Sequence, residues 1–90
     1  MTGDRWRVVF TQQAQRDATK LAAAGLRVNA VELLDVLAEN PYQSPPRFEK
    51  LVGDLAGALS RRINVHHRLV YQVLEDVHTV KVLRMWTHYE

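Results

Sequence analysis

The apolar positions change period twice along the chain. Arg5 to Phe10 is short and rich in β-branched and aromatic residues, which predicts a strand. Thr11 follows as a helix N-cap. From Gln13 to Ala24, the residues Ala14, Ala18, Leu21 and Ala22 sit at offsets 0, 4, 7 and 8, one face of a helix. Gly25 is a natural stop. Val28, Val31, Leu34, Leu37 and Ala38 repeat the helical period, and Asn40-Pro41 ends it, because a residue before proline avoids the α region. The two runs predict a helical hairpin with an apolar stripe on each arm.

Pro41 to Arg47 holds three prolines in six residues and predicts a stiff loop. Phe48 to Val52 reads as a short strand, and Gly53 and Gly57 bracket a turn. Leu59 to Asn64, Arg68 to Leu74 and Val77 to Trp86 then read as strands. Their connections are Val65-His66-His67 and Glu75-Asp76, the second short enough for a two-residue hairpin. The predicted order is β-α-α-β-β-β-β: an α+β fold, with two N-terminal helices packed on an antiparallel sheet, in one domain over residues 1–90. Strand alternation sets Ser60, Arg62 and Asn64 opposite Leu59, Arg61 and Ile63. It also sets Arg68, Val70, Gln72 and Leu74 opposite Leu69, Tyr71 and Val73. At least one sheet face is therefore polar and basic, suited to an anion.

Composition narrows the chemistry. The chain has 90 residues, 47% of them apolar, and no cysteine. That excludes a disulfide scaffold, a thiol nucleophile and a thiolate metal site. No stretch approaches the roughly 20 apolar residues that span a bilayer, and no signal peptide is visible, so a cytoplasmic protein with no membrane partner is expected. The net charge is only +2, but nine of the twelve cations are arginine, the better phosphate ligand. The spacing of His66, His67, His78 and His88 does not suit a metal site, and the adjacent His66-His67 pair reads as a solvated turn. No phosphate-binding glycine loop, nucleophile elbow or basic recognition helix is present. What remains is Glu49, Arg61, Arg62, Arg68, His88 and Tyr89. These are residue types that can take a proton from a ribose 2′-hydroxyl, protonate a leaving 5′-oxygen and stabilise a charged phosphorane. The same residues also fit a bland surface: solvated charges and a frayed tail.

Three segments resemble a known family. Gly57-Ala58-Leu59-Ser60-Arg61-Arg62-Ile63, His67-Arg68-Leu69-Val70-Tyr71 and the terminal His88-Tyr89 are similar to the YoeB/Txe toxins of toxin–antitoxin systems, within the RelE-like mRNA interferases. Glu49-Lys50-Leu51 and Leu55-Ala56-Gly57 sit at matching distances. The resemblance covers residues 49–89 and implies a RelE-like, microbial-RNase-like fold. It also implies a ribosome-dependent endoribonuclease that cuts mRNA in the ribosomal A site without a metal or other cofactor. Products would carry a 2′,3′-cyclic or 3′-phosphate and a 5′-hydroxyl.

By position, Glu49 resembles the family's general base and His88 its general acid. Arg68 resembles the phosphate-stabilising arginine, with Arg61 and Arg62 as further phosphate contacts, and Tyr89 the terminal aromatic at the substrate. The implied partners are the 70S ribosome with its A-site mRNA and a YefM-type antitoxin; a homodimer is common in the resembling family. The chain departs from the family pattern in lacking a Gly/Lys-rich stretch before Glu49 and in carrying Val52 where a basic residue is usual. Both changes weaken the expected contact with ribosomal RNA. Two other classes fit the residues. One is a non-catalytic ribosome- or partner-binding module on the same fold, which predicts that Glu49→Gln and His88→Gln stay toxic. The other is a structural domain whose helical stripes pair with another chain.

Overall fold

The computed structural model describes residues 5–86. Strand β1 (Arg7–Phe10) leads into helices α1 (Gln12–Ala23) and α2 (Arg27–Glu39). Four strands follow: β2 (Phe48–Lys50), β3 (Leu59–Arg62), β4 (Arg68–Leu74) and β5 (Thr79–Arg84). The expected order of elements is present. The strands form one sheet in the order β1-β5-β4-β3-β2. The β2 to β5 meander is antiparallel, while β1 joins the edge parallel to β5, so the sheet is mixed. A parallel pair needs a long crossover, and everything from α1 to β4 supplies it.

Local chemistry sets the helix ends. The Thr11 hydroxyl accepts from Ala14 N–H at 3.0 Å, capping α1. At the other end Gly25 takes φ +77°, with Gly25 N–H bonded to Ala22 C=O and Leu26 N–H to Leu21 C=O. That paired closure needs a left-handed residue, which glycine adopts without strain. Asn40 ends α2 in extended backbone before Pro41, as expected.

The core lies between the helices and one sheet face. Leu21 and Leu37 pack against Leu69, Tyr71, Val80 and Val82, and each such buried side chain contributes about 1.5–3 kcal/mol. The helical faces differ from the expected stripes. In α2 the buried residues are Ala30, Leu33, Leu37 and Ala38, while Val28 and Val31 are 66% and 44% exposed. In α1 the interior positions are Ala14, Asp17 and Leu21, and Ala22 is exposed. Helix α2 is apolar on more than one side, so its period alone could not choose the inner face. The β4–β5 connection also differs: a helical turn, Glu75–Val77, and a left-handed His78 replace the two-residue hairpin.

Candidate active site

Strand pairing decides which charged residues meet. Glu49 of β2 lies opposite Ser60 of β3, and Ser60 opposite Val70 of β4. One step along, Arg62 faces Arg68. Residues two apart share a face, so Glu49, Ser60, Arg62 and Arg68 all fall on the side away from the helices. With Pro46 and Arg47 from the proline loop they line a cleft of about 250 Å³.

The Arg68 guanidinium reaches diagonally across β3 and donates from Nη1 to Glu49 Oε1 at 2.8 Å. Arg68 is the better sheltered partner, its side chain 19% exposed against 46% for Glu49. Arg47 Nη2 stands 3.9 Å from the other carboxylate oxygen. The hydrogen bond from Arg68 and then its charge hold the Glu49 carboxyl below the usual carboxylate range, with Arg47 and Arg62 adding to the effect and slight desolvation opposing it. Beneath the pair, the Ser60 hydroxyl is buried and has no hydrogen-bond partner.

Arg61 corrects an expectation. Expected beside Arg62 as a phosphate contact, it points instead to the helix side and is 1% exposed. Its Nε donates to the Tyr71 hydroxyl at 3.0 Å, Nη2 to Pro41 C=O at 2.9 Å, and Nη1 to Pro46 C=O. The guanidinium carbon sits 4.9 Å from the Phe48 ring centroid. The Tyr71 hydroxyl also donates to Pro41 C=O at 2.8 Å. Arg61 thus pins the proline loop to the sheet, and its donors face two loop carbonyls and the Tyr71 hydroxyl, not the cleft. Period-two alternation had already put Arg61 with Leu59 and Ile63, a signal that outweighs residue type.

His88 and Tyr89 lie outside the described residues. The expected solvated turn holds for His66, which is exposed, but not for His67, which is buried and stacks on Trp86 with ring centroids 3.9 Å apart. One buried charged group, Asp17, lies outside the motif residues. Asp17 sits three residues after Ala14 and four before Leu21, on the interior line of α1. Its place on that line was legible. Its partners, at Arg84 to Trp86, were not.

A mixed five-stranded sheet backed by two helices matches the fold of YoeB- and RelE-like toxin structures. A family model described as YoeB-like toxin of bacterial type II toxin–antitoxin system matches residues 10–89. The chain belongs to this YoeB-like toxin family. It is 35% identical over 72 residues to toxin YoeB of Streptomyces coelicolor, covering 78% of this chain and 86% of that protein. A YoeB/ParE toxin from Agrobacterium tumefaciens superposes with a TM-score of 0.82 at 28% identity, over 92% of this chain and 99% of the other. A Staphylococcus aureus YoeB, solved in a heterotetrameric YoeB–YefM complex, matches at 31% identity and a TM-score of 0.78, over 96% of this chain and 100% of the other. That toxin is also known as a dimer. No helix among the described residues is long and apolar enough to cross a membrane.

Proposed function

We propose that this toxin is a ribosome-dependent endoribonuclease that cleaves A-site mRNA and is neutralised by a YefM-type antitoxin. The observation that carries the reading is the Glu49–Arg68 pair, 2.8 Å apart in an arginine-lined cleft on the open sheet face. A carboxylate alone is a surface charge. A carboxylate held against a guanidinium, with two more arginines in reach, is a base beside a phosphate site.

The pair also gives the base a way to respond to substrate. At rest Arg68 depresses the basicity of Glu49. When an RNA phosphate takes the guanidinium, Glu49 loses its strongest stabilising partner and its proton affinity rises. Glu49 then accepts the 2′-hydroxyl proton as that oxygen attacks the adjacent phosphorus. Arg68 and Arg62 stabilise the charge that builds on the phosphorane. The P–O5′ bond breaks, and His88 delivers a proton to the departing 5′-oxygen. Tyr89 packs at the substrate. The products are a 2′,3′-cyclic phosphate, open to hydrolysis to a 3′-phosphate, and a 5′-hydroxyl. Base, acid and cations all come from side chains, so the step needs no metal. The S. aureus relative's assemblies support an antitoxin partner and a homodimer for this chain as well.

The test is primer extension on mRNA in a purified translation system, with wild-type protein, Glu49→Gln and His88→Gln. Cuts at ribosome-positioned codons that vanish in both variants are expected. Blocked translation with no cuts, or cuts unaffected by Glu49→Gln, would overturn the mechanism.

A further inference from the structure

Helix α1 buries a carboxylate where an apolar side chain would pack. Asp17 is 0% exposed, between the interior residues Ala14 and Leu21. An unpaired charge there is strongly unfavourable, so its partners matter. Oδ1 accepts from Gln13 Nε2 at 2.9 Å. Oδ2 accepts three bonds from the far end of the chain: Arg84 Nε at 3.1 Å, Met85 N–H at 2.9 Å and Trp86 N–H at 3.2 Å. Burial raises the Asp17 pKa, but the bonds from Met85, Gln13, Arg84 and Trp86 outweigh it and hold the carboxyl below the usual range.

Two of these donors are consecutive backbone amides just past Arg84, the last residue of β5. The N-cap of α1 grips the same stretch: the Thr11 hydroxyl donates to Leu83 C=O at 2.9 Å. The Trp86 ring is fixed separately by its stack on His67, 3.9 Å between centroids and 21° between planes. His67 precedes Arg68, whose guanidinium holds Glu49. The backbone at Met85 and Trp86 is therefore set at both its amides and its ring, and the ring rests on the residue before Arg68.

Gluing α1 to the sheet does not need a charge. Well-packed apolar residues do that as well or better. A carboxylate adds direction, because it fixes where two particular N–H groups point.

We propose that Asp17 is a positioning residue for the C-terminal segment: its carboxylate fixes the backbone at Met85 and Trp86 and so places the residues that follow. The proposal rests on the nuclease reading above, in which those residues include the proton donor His88. A proton donor works only if something orders the segment that carries it.

The experiment compares Asp17→Ala, Asp17→Asn and Glu49→Gln with wild type. Amide hydrogen exchange at Met85 and Trp86 is read beside single-turnover mRNA cleavage on programmed ribosomes. Asp17→Ala should lose protection at those two amides while Leu69, Val80 and Val82 keep theirs. Its cleavage rate at saturating ribosomes should fall roughly 100-fold, the scale of an ångström of misplacement, with half-saturation unchanged. Asp17→Asn keeps an acceptor oxygen and should recover part of both signals.

Wild-type cleavage with lost protection would overturn the proposal. So would a defect confined to half-saturation, or a slow rate with protection intact. If Asp17→Ala does not fold, Asp17→Asn decides alone: wild-type cleavage with reduced protection sinks the idea. Glu49→Gln separates the two readings. If it is inactive while Asp17→Ala cuts normally, only the positioning role falls. If it cuts like wild type, the nuclease mechanism falls and takes this proposal with it.

Discussion

Arg61 and Arg62 are neighbours with the same side chain, and the structure predicts opposite phenotypes for them. Arg61→Ala removes a buried guanidinium that donates to Tyr71, Pro41 and Pro46. Truncating a large buried side chain leaves a cavity worth about 2–5 kcal/mol. Losing the donors adds about 1–3 kcal/mol for the Pro46 and Pro41 carbonyls and the Tyr71 hydroxyl, each left with one partner fewer. Relief of a desolvated charge offsets a few kcal/mol of this. The expected net loss is about 3 kcal/mol, a large share of the ~5–13 kcal/mol available to a domain of this size. At about 4–8 °C per kcal/mol, Tm should fall by roughly 12–24 °C.

Arg62 is exposed and lines the cleft, so Arg62→Ala should change stability by no more than about 0.5 kcal/mol. Its cleavage rate should nevertheless fall roughly 10- to 100-fold through lost phosphate stabilisation. The assay is thermal and urea unfolding by circular dichroism, with cleavage normalised to the folded fraction. The reasoning is refuted if Arg61→Ala unfolds within about 1 kcal/mol of wild type yet loses cleavage as Arg62→Ala does.

Three further outcomes are expected. In a carbon-13 NMR titration, the Glu49 carboxyl should titrate below the ordinary value of about 4.3 and move up toward it in Arg68→Gln; an unchanged midpoint would deny the pair its role. Ser60→Ala deletes a buried hydroxyl with no partner, so stability should hold or rise slightly, and a loss above about 1 kcal/mol would mean a missed hydrogen bond. Asp17 has a lowered folded-state pKa, so its stabilisation is present above the unfolded value near 3.9 and is lost as pH falls through the folded value; Asp17→Asn should flatten the acid limb of a Tm-against-pH curve, and parallel curves would refute the linkage.

The linear pattern by itself determined the element order, the helix ends and the polarity of one sheet face. Those follow from neighbours: a Thr cap, a left-handed Gly, a residue before proline, and alternation along strands. The motif residues carried the family resemblance. What only the tertiary structure decided depends on partners distant in sequence. Val28 and Val31 share a helical period with Leu34 and Leu37, and only packing chose which side of α2 faces inward. β1 lies beside β5, 72 residues away for the pair Arg7 and Thr79, and no local signal encodes a parallel edge. Arg68 meets Glu49 because β2 and β4 flank β3 in one register. Asp17 falls on the interior line of α1, but the backbone donors that solvate it, Met85 and Trp86, lie 68 and 69 residues away. Burial of a charge is settled by whether distant groups can solvate it, and that is a property of the fold rather than of any window of sequence.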